Sequence, residues 1–342
     1  MYFFDRFNSY RLKFREKLGV ASHRQALRAL KMLCLHPGQS SRQGLLKVNL
    51  ALTYRCQCAC LHCCAGKQSK SGEDELSAGE IEEIIDQISH FPSVATLISF
   101  FGGEALLRSE VFRLIAYARK QGLFTEIESN GILLTGETAG NLKKSGLNHI
   151  FIRLEGAGPG THDRLSGYTG SFKLALEAIK NCKKHGLSCS ISTVAIKDKI
   201  YNHELQEIIK IGESLKVASV RILLPILSGN WINETAQRLS KKEEEAVVKL
   251  LKPGFVYLES TDTSTNSSQQ VCPSARKKSF YISPYGQLWP CPFVQLDSGN
   301  IRSGKLAEMV NKMWDRDFTG LAQAGCLAHA PQIRDRVCPP NL

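Results

Sequence analysis

Three cysteines in the first third of the chain have a spacing that suits an iron–sulfur cluster. Cys56, Cys60 and Cys63 form the pattern C-x3-C-x2-C directly after an apolar segment that is typical of a strand. Thiolates are the usual ligands of such clusters, and three of them on one loop can hold three irons of a cubane. The fourth iron then has no protein ligand and can bind a small molecule. The spacing therefore favours a site-differentiated [4Fe-4S] cluster.

A tetrahedral zinc site is the alternative that this spacing leaves open. Structural zinc needs four ligands, and the loop offers Cys58, His62 and Cys64 as candidates for the fourth. If the loop holds a cluster instead, Cys58 is expected to point away from it. Cys64 is then a candidate hydrogen-atom donor beside the reaction site, and no other catalytic residue is assigned.

A second set of cysteines lies near the end of the chain. Residues 280–282 and 287–289 predict a hairpin, which cysteines flank on both sides. The chain has 12 cysteines in all, and clustered cysteines in a reducing compartment point to metal binding or redox chemistry. The members of the second set are Cys272, Cys291, Cys326 and Cys338.

Composition places the protein among ordinary globular proteins. Its hydrophobic fraction is 43% and its charged fraction is 22%, both typical of soluble domains. No apolar run approaches the ~20 residues of a membrane span, and the N-terminus lacks the pattern of a secretory signal. The sequence therefore predicts a cytoplasmic protein.

The N-terminus carries much of the positive charge. Residues 1–50 contain ten Lys and Arg residues against Asp5 and Glu16, a net charge of +8. A basic helical segment over 1–45 suits an acidic peptide or a membrane surface, and a solvated face is the alternative. Nucleic acid is not expected as a partner, because no nucleic-acid-binding fold is recognisable.

Alternating strand and helix patterns fill the region between the two cysteine sets and must position them. Strands separated by helices imply a parallel sheet with crossover helices. The predicted strands are 46–52, 96–101, 124–129, 149–154, 188–194 and 219–224. The predicted helices are 77–90, 109–121, 136–145, 171–185, 205–215 and 240–251.

These units predict an α/β fold, a partial (β/α)6 TIM-like barrel over residues 46–250. A flat doubly wound sheet is not excluded by the pattern alone. The N-terminal helical segment covers 1–45, and a small C-terminal α+β cluster-binding extension covers 251–342. In a parallel barrel the chemistry lies at the carboxyl ends of the strands, and the notable motifs fall there.

An ordered set of motifs between about residues 46 and 224 resembles the radical S-adenosylmethionine (SAM) superfamily. The three-cysteine loop follows the first strand, and Gly102-Gly103-Glu104 after the second resembles the GGE motif of that family. Ser129-Asn130-Gly131 after the third strand resembles its T-N-G turn. The later matching pieces are Arg153-Leu-Glu155-Gly156, residues 161–172 and Ser190-Ile-Ser192-Thr193.

The resemblance implies a set of residues that contact SAM. Glycines let the backbone approach the cofactor, and Glu104 would pair with the α-ammonium group. Arg153 stands where the family usually has serine, so its role is left open between the SAM carboxylate, a substrate acid and a pair with Glu155. The implied contacts are Gly102, Gly103, Glu104, Ser129, Asn130, Arg153 and Ser192.

The C-terminal segment resembles the auxiliary-cluster extension called SPASM, or its shorter relative twitch. This chain has fewer cysteines than the full extension and lacks the C-x2-C pair of the short one. The resemblance therefore implies one auxiliary [4Fe-4S] cluster, and a zinc site or a vestigial element is the alternative. Its implied ligands are Cys272, Cys291, Cys326 and Cys338, with His329 as a substitute for the last.

The resemblance also implies an activity. The reduced cluster would cleave SAM to methionine and a 5′-deoxyadenosyl radical, which would abstract a hydrogen from a substrate, with electrons from a flavodoxin or ferredoxin. The basic N-terminus favours a ribosomal peptide or protein side chain as substrate. Tetrapyrrole, carbohydrate, lipid and other small-molecule pathways are the alternatives. A non-catalytic iron–sulfur or zinc protein is a further hypothesis, against which the intact Gly-Gly-Glu motif and the three cysteines argue.

Overall fold

The structure is a computed structural model that describes residues 45–66, 74–91, 93, 95–259, 272–316, 318, 326–330 and 333. The predicted helices of the N-terminal segment and Cys338 lie outside the described residues. Among the helices that are described, none is long and apolar enough to cross a membrane.

A single open sheet organises the described part of the chain. Its order is β7-β6-β5-β4-β3-β2-β1-β8-β9. Neighbouring strands are parallel, except that β8 and β9 form an antiparallel pair. The predicted α/β partial barrel is thereby confirmed. The strands are β1 (Leu45–Thr53), β2 (Ala95–Gly102), β3 (Phe124–Ser129), β4 (His149–Arg153), β5 (Cys189–Val194), β6 (Val220–Leu223), β7 (Val256–Leu258), β8 (Ser279–Ile282) and β9 (Leu288–Trp289).

The helices pack apolar faces against this sheet. The first one buries isoleucines at positions 81, 84, 85 and 88, the spacing of one helix face. Ser77 begins it with a capping box closed by Glu80, which satisfies two free backbone N–H groups. The described helices are α1 (Ala78–Ser89), α2 (Val111–Lys120), α3 (Gly136–Lys144), α4 (Pro159–Ser166), α5 (Ser171–Lys184), α6 (Lys197–Tyr201), α7 (Glu204–Ser214), α8 (Lys241–Val248) and α9 (Leu306–Trp314).

Two strands from beyond residue 250 extend the sheet at both of its ends. β7 pairs with β6, and β8 pairs with β1, with Lys47 beside Ser279. The predicted hairpin is present, since Tyr281 of β8 opposes Trp289 of β9. The sequence pattern indicates six parallel strands, whereas the described residues contain eight. The two additional strands are three and four residues long, too short to show a period.

Charged side chains inside the barrel connect strands that are not neighbours. Lys47 on β1 forms ion pairs with Glu126 on β3 at 2.9 Å and with Glu259, just after β7, at 3.6 Å. Arg221 on β6 forms ion pairs with Glu128 on β3 at 3.0 Å and with Glu259 at 3.3 Å. Arg221 is buried, so its charge depends on these carboxylates. The network therefore joins the two sides of the open sheet.

Candidate active site

The turn Gly102-Gly103-Glu104 holds the start of the cysteine loop in place. The backbone N–H of Gly103 donates to the Thr53 carbonyl at 2.8 Å, and that of Glu104 donates to the Arg55 carbonyl at 2.9 Å. A Cβ on Gly102 would collide with the Thr53 carbonyl oxygen, and one on Gly103 would lie 2.7 Å from the Tyr54 carbonyl oxygen. The glycines are therefore required by the backbone of the loop itself. Their predicted contact with SAM stays a prediction.

The opposite side of the loop is bound by residues from two later segments. The N–H groups of Ala59 and Leu61 donate to the backbone carbonyls of residues 166 and 165, each at 3.0 Å. Asn230 donates through its backbone N–H to the Cys63 carbonyl at 3.0 Å and through Nδ2 to the Cys60 carbonyl at 2.9 Å. Hydrogen bonds from these two segments thus hold the backbone of the loop in place.

Replacement of Asn230 by alanine is expected to weaken cluster retention without unfolding the barrel. The change removes the Nδ2 hydrogen bond to the Cys60 carbonyl, a loss of about 1 kcal/mol. We expect a lower iron content per chain and faster cluster loss to a chelator. Asn311→Ala, at an exposed position on α9, is the matched control. Equal rates of iron loss in the two variants would contradict this role.

The thiols of the loop interact with one another. Hydrogen bonding from the Cys58 thiol lowers the pKa of Cys56 to about 6 and also lowers the pKa of Cys60. Burial raises the pKa of Cys63. The Cys58 thiol thus hydrogen-bonds to both Cys56 and Cys60, and its predicted orientation away from a bound cluster stays a prediction. Cys56 and Cys60 are favoured in the thiolate form that ligates iron.

Glu104 occupies a buried pocket at the end of β2. Its carboxylate accepts hydrogen bonds from the N–H of Asn130 at 2.8 Å, the N–H of Leu106 at 3.2 Å and the hydroxyl of Ser129 at 3.2 Å. Burial raises the pKa of Glu104 to about 7. A carboxylate offers about four acceptor positions, so three donors leave room for the predicted SAM ammonium group.

A buried charge network adjoins the cysteine loop. Glu155 lies within 3.0 Å of both Arg153 and His62 and within 3.2 Å of Lys199. Its side chain is 1% exposed, and that of Lys199 is fully buried. Despite burial, the neighbouring His62 and Lys199 hold the pKa of Glu155 well below its usual range. Arg153 was expected to contact the SAM carboxylate, a substrate acid or Glu155. The structure shows the ion pair with Glu155.

Ser192 is also bound within the barrel. Its hydroxyl accepts hydrogen bonds from Nη2 of Arg221 at 3.0 Å and from Nε at 3.3 Å. Ser192 is fully buried. The predicted contact of this hydroxyl with the SAM ribose stays a prediction.

Three of the four C-terminal cysteines lie close to one another. Burial raises the pKa of Cys291 well above its usual value, and the nearby Cys272 and Cys326 raise it further. Burial, with a contribution from Cys272, raises the pKa of Cys326 to about 12. His329 lies in the short helical turn that begins directly after Cys326. Cys272, Cys291 and Cys326 thus lie near one another, and their role as ligands of an auxiliary cluster stays a prediction.

Aromatic side chains join the two cysteine sets. The hydroxyl groups of Tyr54, two residues before Cys56, and Tyr281 are 2.9 Å apart. The ring of Tyr281 stacks on Trp289 with 5.2 Å between centroids, and Cys63 packs against the same cluster. Because Trp289 lies two residues before Cys291, this packing fixes the C-terminal hairpin against the cysteine loop.

A cavity of about 100 Å³ lies between the same two groups of cysteines. We call it the chamber. Cys64 contributes to it from the cysteine loop, with its pKa raised to about 12 by burial. The other polar lining residues include His62, Arg153, Arg238, Cys272, Cys326 and His329. The apolar lining includes Leu223, Pro225, Trp231, Leu239 and Phe293.

The residues around the cysteine loop fit an anionic iron–sulfur cluster. Arg153 and Lys199 share the single carboxylate of Glu155, so the network carries excess positive charge beside the thiols. Gln57 Nε2 is buried and has no hydrogen-bond partner among the described residues. Across those residues, no three His, Cys, Asp or Glu side chains converge on a single metal-ion position, so the assignment of ligands to a cluster or to zinc rests on the cysteine spacing and not on side-chain geometry.

The open parallel sheet and its three-cysteine loop define an α/β enzyme of the iron–sulfur class. The model of the radical SAM superfamily matches residues 50–211, the region that contains the cysteine loop and the motifs after β2 and β3. Residues 50–211 therefore form a domain of the radical SAM superfamily, and the protein is an enzyme of that type. Membership implies a [4Fe-4S] cluster and SAM as cofactors.

Three relatives illustrate the range of this superfamily. The AdoMet-dependent heme synthase of Oleidesulfovibrio alaskensis is 26% identical over 87% of this chain and 81% of its own length. The Fe-coproporphyrin III synthase of Methanosarcina barkeri is 30% identical over 65% of this chain and 54% of its own length. The PqqA peptide cyclase of Bradyrhizobium diazoefficiens is 25% identical over 75% of this chain and 70% of its own length.

A solved structure supports the fold. Streptococcus suis SuiB bound to its precursor peptide SuiA superposes with a TM-score of 0.64 over 87% of this chain and 70% of that chain. The two sequences are 16% identical, so this similarity concerns the fold alone.

Proposed function

We propose that the protein cleaves SAM reductively and abstracts a hydrogen atom from a substrate bound in the chamber. When bound, the reduced cluster and SAM supply a 5′-deoxyadenosyl radical. The position of the chamber is the observation that carries the proposal. It is lined by Cys64 of the cysteine loop and by Cys272 and Cys326 of the C-terminal set. A flavodoxin or ferredoxin is the proposed electron donor, and the cytoplasm is the proposed location.

The chamber suits radical chemistry because much of its lining is apolar and offers little to hold water. Trp231 is buried and packs on the ring of His62, with 5.5 Å between centroids. Leu239 is buried as well. Arg238 is exposed and lines the chamber, where its guanidinium suits a carboxylate of the substrate. Cys64 remains the proposed hydrogen-atom donor, because its raised pKa keeps the thiol protonated.

We further propose that Cys272, Cys291 and Cys326 hold an auxiliary [4Fe-4S] cluster. Their proximity, seen in the rise that Cys272 and Cys326 cause in the pKa of Cys291, supports this ligand set. Cys338 or His329 is the proposed fourth ligand, and otherwise one iron is open to the substrate. We propose that the cluster-binding extension begins near residue 250. Its strands β7 and β8 hydrogen-bond to strands β6 and β1 of the barrel.

Changing Cys56, Cys60 and Cys63 together to alanine is expected to leave roughly half of the iron, because each cubane holds four irons and the auxiliary set is intact. Iron and sulfide analysis after anaerobic reconstitution measures this. A matched variant with Cys272, Cys291 and Cys326 changed to alanine is expected to retain the other half. Complete loss of iron in the first variant, with the fold retained by circular dichroism, would contradict a second cluster.

The relatives favour a tetrapyrrole as the substrate. Two of the three relatives described are named for heme or Fe-coproporphyrin III, and the alignment with the first covers most of both chains. The apolar lining and Arg238 suit one edge of an apolar body that bears carboxylates, since a whole macrocycle is larger than a cavity of about 100 Å³. We therefore propose an iron porphyrin precursor, ahead of the peptide that the basic N-terminus suggested.

A peptide is the second candidate substrate. It is supported by the similarity to the PqqA peptide cyclase and by the net charge of +8 over residues 1–50, which suits an acidic leader. Lipid and other small-molecule substrates have no comparable support.

One experiment tests the activity and separates the two substrates. The reconstituted protein is incubated anaerobically with dithionite and SAM, and 5′-deoxyadenosine is quantified with Fe-coproporphyrin III, with a precursor peptide, or with neither. We expect Fe-coproporphyrin III to raise the yield and to be consumed. Stimulation by the peptide alone would establish the second candidate. No 5′-deoxyadenosine from protein with confirmed clusters would contradict an enzyme and favour an electron carrier or scaffold.

A further inference from the structure

We propose that the side-chain amides of Asn130 and Gln57 donate hydrogen bonds to the cluster held by the cysteine loop and thereby raise its reduction potential. This inference rests on the proposed function, which requires that cluster to take up an electron before SAM is cleaved. It assigns to Asn130 a role beyond its predicted contact with SAM. It also assigns a role to Gln57, one of the three residues between Cys56 and Cys60.

One hydrogen bond holds the backbone of Asn130, and another fixes the orientation of its side-chain amide. Its backbone N–H donates to Glu104 at 2.8 Å, and its Oδ1 accepts from the N–H of Ile132 at 2.9 Å. Because Oδ1 has this partner, Nδ2 must be the end that faces the cysteine loop. It lies 3.7 Å from Sγ of Cys56 and 3.2 Å from Oε1 of Gln57. Asn130 is therefore already a donor to one predicted cluster ligand.

The amide of Gln57 is oriented by that same contact. Its Oε1 accepts from Asn130, so its Nε2 is turned away from Asn130. That nitrogen is buried and has no hydrogen-bond partner within the described part of the chain. Gln57 lies between Cys56 and Cys58 in the loop. A buried N–H donor without an acceptor is unfavourable, and the sulfur atoms of a cluster are acceptors.

The effect on the potential follows from charge. Reduction by one electron from an external donor adds one negative charge to the cluster and forms or breaks no bond. N–H donors directed at its sulfur atoms stabilise the more negative, reduced state more than the oxidised state, and such hydrogen bonds are among the factors that set cluster potentials. Asn130 and Gln57 therefore act on the cluster directly, through its sulfur atoms.

The test is a potentiometric titration of the cluster with dithionite, followed by electron paramagnetic resonance in the absence of SAM and substrate. The auxiliary ligands Cys272, Cys291 and Cys326 are changed to alanine in every sample, so that one cluster is observed. For Asn130→Ala, the ratio of reduced to oxidised cluster at the parent midpoint is expected to fall about threefold to tenfold, the effect of one hydrogen bond.

Two further variants complete the test. Gln57→Leu is expected to shift the ratio in the same direction, and it keeps the inference testable if Asn130→Ala loses its cluster. Asn181→Ala, whose amide donates to the Leu134 carbonyl at 3.0 Å, is the control and is expected to leave the potential unchanged.

The outcomes separate this inference from the proposed function. An unchanged midpoint in Asn130→Ala and Gln57→Leu with full iron content overturns the inference. Weaker SAM binding by Asn130→Ala with an unchanged potential also overturns it and makes Asn130 only a SAM contact. A parent protein that takes up no cluster by iron analysis overturns the proposed function together with the inference.

Discussion

Alanine at position 103 is expected to abolish stable cluster binding and SAM cleavage. A Cβ there would lie 2.7 Å from the Tyr54 carbonyl oxygen and would collide with that of Arg55. Overpacking against a rigid neighbour costs about 1–3 kcal/mol, and here the neighbour is the backbone of the cysteine loop. The loop must therefore move away from β2. Iron per chain and 5′-deoxyadenosine yield measure the effect.

Gly79→Ala is the matched control for this substitution. Gly79 lies in the first turn of α1, and a Cβ there meets nothing within 4 Å. Alanine is preferred over glycine in a helix by up to about 1 kcal/mol, so we expect unchanged iron content and an equal or higher midpoint of thermal unfolding. Full cluster loading in Gly103→Ala would show that the loop tolerates a displacement from the Gly-Gly turn.

The second large effect is expected at Glu155. Replacement by alanine leaves the fully buried Lys199 and the neighbouring Arg153 without their shared carboxylate. Loss of one partner of a buried ion pair costs about 3–5 kcal/mol. We expect a decrease of that size in the free energy of unfolding, measured by urea denaturation at neutral pH.

The effect at Glu155 has a defined pH dependence. Because the pKa of Glu155 is depressed in the folded state, its contribution to the free energy of unfolding is complete above about pH 4.3, the ordinary carboxyl value. The contribution is lost as the pH falls from there through the folded-state pKa. The difference between the native protein and Glu155→Ala should therefore shrink on acidification below that pH.

Two comparisons make this prediction specific. Adding Lys199→Met to Glu155→Ala is expected to restore part of the lost free energy, because it removes the stranded ammonium group. Glu207→Ala, which breaks an exposed pair with Lys210, is expected to change it by no more than about 0.5 kcal/mol. If Glu155→Ala lowers the free energy of unfolding by no more than Glu207→Ala does, the charge network around Glu155 does not stabilise the fold.

Much of the barrel could be predicted from the sequence because its signals are local. The predicted strand 124–129 coincides with β3, and strand 188–194 contains β5. β7 and β8 could not be assigned to the sheet, because strands of three and four residues carry no period and their partners are distant in sequence. The predicted hairpin gave the β8–β9 pair but not the parallel pairing of β8 with β1.

The candidate site was predictable to the extent that motifs mark it. The cysteine spacing located the loop, and Ser129 and Asn130 do lie beside Glu104. Lys199 and its contact with Glu155 had no signal, because ion pairs between residues 44 positions apart leave no pattern in a single sequence. The hydrogen bonds from Asn230 to the cysteine loop were missed for the same reason, because most of the barrel sequence lies between Cys63 and Asn230.

The pairing of β8 with β1 has a consequence for how the molecule assembles. Asn49 on β1 donates to Ser279 on β8 across 230 residues of chain, whereas the β/α units between them connect neighbouring segments. Contacts of such long range form late, because closing a long loop costs more conformational entropy than closing a short one. During synthesis the cysteine loop therefore emerges while the edge of β1 is still open. The C-terminal segment then pairs with that edge late in folding, after the β/α units between them have formed.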